Sequence, residues 1–255
     1  MKNPQQYQFR AFDIVVQSNV VFPELRDCSG RPVDIRFELL SDRREESEAD
    51  FFHHWYADIE TGVISSSIAR ERDGFRLRFP ELADFLIDPR CERVDCLPLE
   101  STSMETIRHL FLDQVLPRLL GHRGNLILHA SAVEVADRAG IAFVGESGWG
   151  KSTLASSFKG ENVRFVTDDC LKFKLADGNL TGVSAYHGSR MWEDSIEALY
   201  PDGVATSSVS HYSNKRRILA KEQESVDKTV FNSVFFLVDP KAVQRDKVVI
   251  EPLQG

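Results

Sequence analysis

The stretch GESGWGKSTL, residues 145–154, decides how this chain is read. It fits G-x-x-x-x-G-K-S at every fixed position: Gly145, Gly150, Lys151 and Ser152. Glycines there let the backbone curl so that successive N–H groups face one concavity. Lys151 would reach the β- and γ-phosphates of a nucleotide, and Ser152 would offer its hydroxyl to Mg2+. Glu146, Ser147, Gly148, Trp149 and Thr153 complete the expected nucleotide-binding set. The bland alternative is a glycine turn whose lysine points at solvent. Context argues against it. The apolar run IAFVG (141–145) reads as a strand and KSTLASSF (151–158) as a helix, the order that a phosphate-binding loop requires.

Working outward, VRFVTDD (163–169) reads as a strand ending in two aspartates, at the sheet edge where the loop also sits. One carboxylate of Asp168 and Asp169 would hold a metal, and its neighbour would take a proton from an attacking hydroxyl. A strand-capping turn is the structural alternative. His129 ends LILH (126–129), on the strand before the loop strand, within reach of the aspartates or simply buried. Other fates of a bound phosphate lack their signatures. No L-S-G-G-Q or N-K-x-D occurs; SNKRR (213–217) shares two letters with the latter. VFFLVDP (234–240) ends on Asp239 followed by proline, and reads as a core strand.

Upstream, YQFRAFDIVVQS (7–18), VDIRFELL (33–40) and GFRLRF (74–79) alternate as half-buried strands, with turns at SGRP and RDG. They predict a small β-rich module over residues 1–100 and a nucleotide-binding domain over 101–255. The run SDRREESEAD (41–50) reads as a solvated loop. A helix is expected within TSMETIRHLFLDQVLPRLLG (102–121), opened by a Thr102/Glu105 capping box, kinked or shortened by Pro117 and stopped by Gly121.

The 255 residues are 42% hydrophobic and 27% charged, enough for a sizeable core, and the net charge of −8 argues against nucleic acid or an anionic membrane as the main partner. Cys28, Cys91, Cys96 and Cys170 form no C-x-x-C pair. The polar start MKNPQQYQFR shows no targeting segment, and no run is long enough to span a membrane. A cytoplasmic, reduced protein is expected. Self-association is left open.

LHASAV (128–133), GIAFVGESGWGKSTL (140–154) and VTDD (166–169) together resemble the C-terminal catalytic domain of the HPr kinase/phosphorylase family. They more closely resemble the HPr-kinase-related peptide serine kinases, as do FPEL (22–25), DQVLPRLLGHRGNLILHASAV (113–133) and SRMWEDSIEAL (189–199). The resemblance implies an α/β P-loop kinase domain of the HPr kinase/phosphoenolpyruvate carboxykinase type, preceded by the β-rich module. It implies ATP and Mg2+ as cofactors, and a serine hydroxyl of a peptide or protein as acceptor. It implies Asp168 as catalytic base, Asp169 at the metal and His129 beside them, with Lys151 and Ser152 on phosphate and metal. Where HPr kinases carry an E-I-R-G loop, this chain reads SAYHGSRMWEDSIEAL (184–199), so neither HPr nor phosphorolysis is carried over. Relatives continue beyond EPLQG (251–255). Small kinases of this type modify lasso-peptide precursors, the leading expectation for the acceptor by analogy. A small-molecule kinase and a nucleotide-binding module without transfer are the rivals. Arg190 and Trp192 either line a pocket or belong to core and rim. HYSNKRR (211–217) either grips an anion or is a solvated charge run. His53 and His54 have no role.

Overall fold

A computed structural model describes residues 5–41, 49–58, 60–135, 139–158, 160, 162–186, 188–210, 213–219, 228–239 and 249–253. It is a mixed α/β architecture, with seventeen strands and few helices among the described residues. Residues 42–48 of the acidic run lie outside them, as do His211, Tyr212 and Pro240.

The first hundred residues form nine strands: β1 (Tyr7–Ala11), β2 (Ile14–Ser18), β3 (Arg26–Asp27), β4 (Ile35–Leu39), β5 (Phe51–Asp58), β6 (Val63–Glu71), β7 (Gly74–Phe79), β8 (Ala83–Ile87) and β9 (Arg93–Pro98). They make one sheet in the order β3-β1-β2-β4-β9-β8-β7-β6-β5. Only the β2–β4 and β4–β9 pairings are parallel. Alternation does the local work: Ile35 and Phe37 of β4 point into the core while Arg36 between them is exposed.

The helical segment lies against this sheet in three parts: α1 (Met104–Leu110), a π-helical turn (Phe111–Val115) and α2 (Leu116–His122). Phe111 stands 4.4 Å from the ring of Phe37 and 5.5 Å from that of Phe22, so sheet and helix share one core. Three expectations for the segment are corrected. The cap is Ser103, which accepts from the Thr106 N–H at 3.3 Å, while Thr102 donates to the Leu82 carbonyl at 2.6 Å. Pro117 does not shorten the helix. It has no N–H for the carbonyl of Asp113, four residues back, and its ring crowds that carbonyl. The helix widens there instead, with the Leu116 N–H reaching Phe111 O. The chain leaves the helix at Gly124, in the left-handed region at φ 82°, rather than at Gly121.

The second half is a closed barrel, β10-β11-β17-β13-β12, built from β10 (Leu126–Val135), β11 (Ala139–Val144), β12 (Val163–Ala176), β13 (Asn179–Ser184) and β17 (Thr229–Phe236). Helix α3 (Lys151–Ser157) follows the glycine loop. Beside the barrel, β14 (Gly188–Met191), β16 (Ser213–Leu219) and β15 (Ser207–Ser210) form a small sheet in that order; α4 (Glu193–Leu199) follows β14 in sequence. The aspartates do not end a strand, as the sequence suggested. Strand β12 runs on to Ala176, and Asp168 and Asp169 sit in its middle. Register brings them to the loop. Ala130 of β10 faces Val144 on one side and Asp169 on the other, and Ser131 faces Phe143 and Asp168. The carboxylates are therefore level with the last two residues of the loop-bearing strand.

No described helix is long and apolar enough to cross a membrane. The four cysteines are free thiols.

Candidate active site

The loop between β11 and α3 needs its glycines for two different reasons. Gly148 and Gly150 stand at φ 86° and 87°, a backbone conformation that L side chains rarely adopt. Gly145 is a packing point: a Cβ there would lie 3.0 Å from the Trp149 ring and 3.3 Å from Leu237. Lys151 is only 5% exposed, and its Nζ donates to the Glu146 carbonyl at 2.7 Å. Burial lowers its pKa, and the nearby Asp168 carboxylate works against that shift.

Asp168 is buried beneath the loop. Ser131 donates its hydroxyl to Oδ1 and the Arg190 N–H donates to Oδ2 at 2.9 Å, while Ser152 lines the same cleft. Burial raises this carboxyl above the ordinary range, although the bonds from Ser131 and Arg190 and the nearby Ser152 favour its charged form. Asp169 is different. Its Oδ1 lies 2.5 Å from the Arg190 guanidinium and 3.3 Å from His129 Nε2. Its buried Oδ2 has no hydrogen-bond partner among the described residues. Burial holds this carboxyl well above its usual value; Arg190 opposes the shift and Asp113 adds to it.

Asp113 comes from the π-helical turn. It is buried, with His109 Nδ1 at 2.6 Å, the Arg190 guanidinium at 2.8 Å and the Tyr186 hydroxyl at 3.0 Å. Burial alone would raise its pKa, but Arg190 and His109 outweigh it and hold the carboxyl below the usual range. One guanidinium thus spans two acids, whose carboxyls shift in opposite directions.

His129 faces the open side, with 45% of its side chain exposed. Partial burial, then the Lys151 and Arg190 cations, pushes the imidazole down to about 4. It should stay neutral through the physiological range. In a histidine-resolved NMR titration its midpoint is expected below pH 5, and a midpoint near 6.5 would show that the ring does not feel these cations.

Of the residues expected from sequence, His129, Ser147, Gly148, Gly150, Lys151, Ser152, Thr153 and Asp168 line a single cleft of about 170 Å³. That is room for phosphate groups rather than a whole nucleotide. Gly145, Glu146 and Trp149 shape the loop without lining the cleft. Asp169 lines an adjoining chamber instead. Arg190, Trp192 and Lys215, left open by the sequence, all line the cleft, and Lys215 Nζ stands 5.2 Å from the Trp192 ring. Sequence reasoning missed Ser131, His109, Asp113 and Tyr186. A signal existed for two of them: His109 and Asp113 are four apart on one helix face.

Among the described residues, no three His, Cys, Asp or Glu side chains gather into a metal cage. The donors at hand, the Ser152 hydroxyl and the carboxylates of Asp168 and Asp169, are oxygens of the kind Mg2+ takes when nucleotide phosphates supply the rest of its shell.

No protein-family model matches the chain, and no curated protein matches it. Among solved structures the chain is similar to the Hpr(Ser) kinase/phosphatase from Coxiella burnetii, with 20% identity over 48% of this chain and 71% of that one, at a TM-score of 0.30. A likeness at that level is too loose to transfer an activity or a residue's role.

Proposed function

We propose that this protein is an ATP- and Mg2+-dependent kinase that phosphorylates a serine hydroxyl of a peptide or protein. The observation that carries the reading is convergence on one cleft: a loop held open by two left-handed glycines, a buried lysine at its end, the loop's own Ser152, and the buried carboxylate of Asp168, all lining it. Lys151 would release the Glu146 carbonyl and turn to the phosphates. Asp168 orients the serine hydroxyl and takes its proton as the serine oxygen bonds to the γ-phosphorus and the bond to the β-bridging oxygen breaks, freeing ADP. Arg190, which lines the cleft, would stabilise equatorial charge as it develops on the transferring group. Ser152, with Asp169 and His129 alongside, would hold Mg2+; bound there, the ion neutralises phosphate charge.

The acceptor of choice is a ribosomally made peptide of the lasso-precursor kind, presented in the cytoplasm where ATP is found. The sheet formed by residues 1–100 would supply the docking surface for an extended chain. Intact-mass measurement of such peptides after incubation with ATP and Mg2+ should show a gain of one phosphate that disappears when the acceptor serine is replaced by alanine. Label on a small metabolite, with peptides untouched, would redirect the reading to a small-molecule kinase.

Lys151→Ala should lower transfer by about 10²–10³-fold, the usual cost of one lost electrostatic stabiliser, and should weaken nucleotide binding in calorimetry. Native turnover in that variant would refute the phosphate-loop role.

A further inference from the structure

We propose that Trp192 is the stacking platform for the base of the bound nucleotide, and that the site selects a flat purine rather than one particular purine. The inference rests on the kinase reading above and deepens it by naming how the phosphate donor is chosen.

The cleft of about 170 Å³ holds phosphate groups, so the nucleoside must leave it at one end. The order of the phosphates picks the end. Transfer needs the γ-phosphate near Asp168 and Lys151, with the α-phosphate further along the start of the helix. One end of the cleft meets the neighbouring chamber across His129, Ser147, Arg190 and Lys215. The other is walled by Thr153 in the first turn of α3 and by Trp192 and Ser195 at the start of α4, and the two helices touch. The nucleoside leaves past this second wall.

Trp192 is the one large aromatic ring lining the cleft among the described residues, and it is 50% exposed. Trp149 of the loop does not compete, because its ring packs on Gly145 and does not line the cleft. Lys215 Nζ stands 5.2 Å from the centre of the Trp192 ring. This ammonium is half-buried, and burial and then Arg190 lower its pKa. A bound triphosphate draws such a cation toward itself, and the ring face it leaves takes the base, exchanging a cation–π contact for a stack. Readout of the base edge is not built into α4. Asp194 Oδ1 already accepts from the Ser195 N–H at 2.7 Å and from its hydroxyl at 3.4 Å. A stack without edge contacts tolerates any purine, because every base has a π-face.

The test titrates the full chain with three probes by calorimetry in Mg2+: non-hydrolysable analogues of ATP and GTP, and ribose 5-triphosphate, which lacks only the base. The two nucleotides should bind within about threefold of each other and roughly 10- to 100-fold more tightly than ribose 5-triphosphate, the worth of one base on an aromatic ring. Trp192→Ala should bring both nucleotides down to the ribose 5-triphosphate affinity and leave that affinity unchanged, while Trp192→Phe should keep part of the advantage. The inference is overturned if the base adds nothing in the wild type, if its advantage survives in Trp192→Ala, if ribose 5-triphosphate weakens equally there, or if the two nucleotides differ by more than about tenfold. If none of the three probes binds the wild type, the kinase reading beneath it fails instead.

Discussion

Asp168→Asn is expected to lower the phosphoryl-transfer rate by roughly 10²–10⁴, the range for losing a general acid–base group. The variant should fold. Asparagine can turn its oxygen to the Arg190 N–H, which only donates, and its NH2 to the Ser131 hydroxyl, which can accept. What disappears is the negative charge and, with it, the base that the proposed mechanism requires. Nucleotide affinity should change little, because in the proposed mechanism Lys151 and the loop amides would carry the phosphates. Asp169→Asn should instead raise the Mg2+ requirement. Single-turnover transfer set against nucleotide affinity, for both variants across a Mg2+ series, separates the roles. If Asp168→Asn shifts only the Mg2+ dependence and Asp169→Asn abolishes transfer, the two carboxylates have exchanged roles. If Asp168→Asn transfers at the native rate, the carboxylate is structural and the mechanism is wrong.

Asp113→Ala is expected to cost about 3–5 kcal/mol of folding stability, the penalty for leaving a buried charge without its partner. Arg190, His109 and Tyr186 all converge on this carboxylate, and Arg190 would be left with Asp169 Oδ1, at 2.5 Å, as its remaining carboxylate. Urea unfolding of the wild type and the variant measures the cost. Asp113→Asn keeps the shape and the hydrogen bond from Tyr186 while losing only the charge, so its loss should be smaller and its pH dependence altered. In the wild type the Asp113 carboxyl is lower folded than unfolded. Its contribution is therefore complete above about pH 4, near the unfolded value. It is lost as acid titrates the folded group, below the ordinary carboxylate range. Asp169, raised in the folded state, has the opposite sign: ionising it in the fold is unfavourable as pH rises above the unfolded value. An Asp113→Ala variant of native stability would mean that the existing pair with Asp169 is enough to hold the Arg190 charge.

The two aspartates show where sequence reading reached and where it stopped. Asp168 and Asp169 stood out because two adjacent acids after an apolar run are unusual. Their strand was cut short for the same reason, since aspartate is a poor strand former. The residues beyond, CLKFKLA (170–176), continue the strand because β10 and β13 flank them on either side and supply hydrogen bonds that outweigh the local preference. Pro117 predicts a kinked or shortened helix, and the structure carries the irregularity as a wider turn with the helix continuing to His122. A proline removes a hydrogen bond, but the helix face packed on Phe22 and Phe37 gains too much from burial to unravel, and it absorbs the fault as a wider turn. Asp113 sits in that turn.

What the sequence determined by itself is local: the loop conformation demanded by Gly148 and Gly150, the strand before it, the helix after it, and the alternating strands of the first hundred residues. Each follows from steric limits on a few consecutive residues or from a periodicity within one element. Tertiary structure alone decided which distant groups meet. The register of β10 sets Ser131 against Asp168, and the pairing of β14 with β16 sets Arg190 beside Arg217. The packing of the helical segment places Asp113 against Arg190, and closure of the barrel leaves Asp169 Oδ2 buried and unpaired. Those contacts cross tens of residues of chain. They are selected by the burial and pairing of the whole fold, which no short stretch encodes, and the charges at the site take their proton affinities from them.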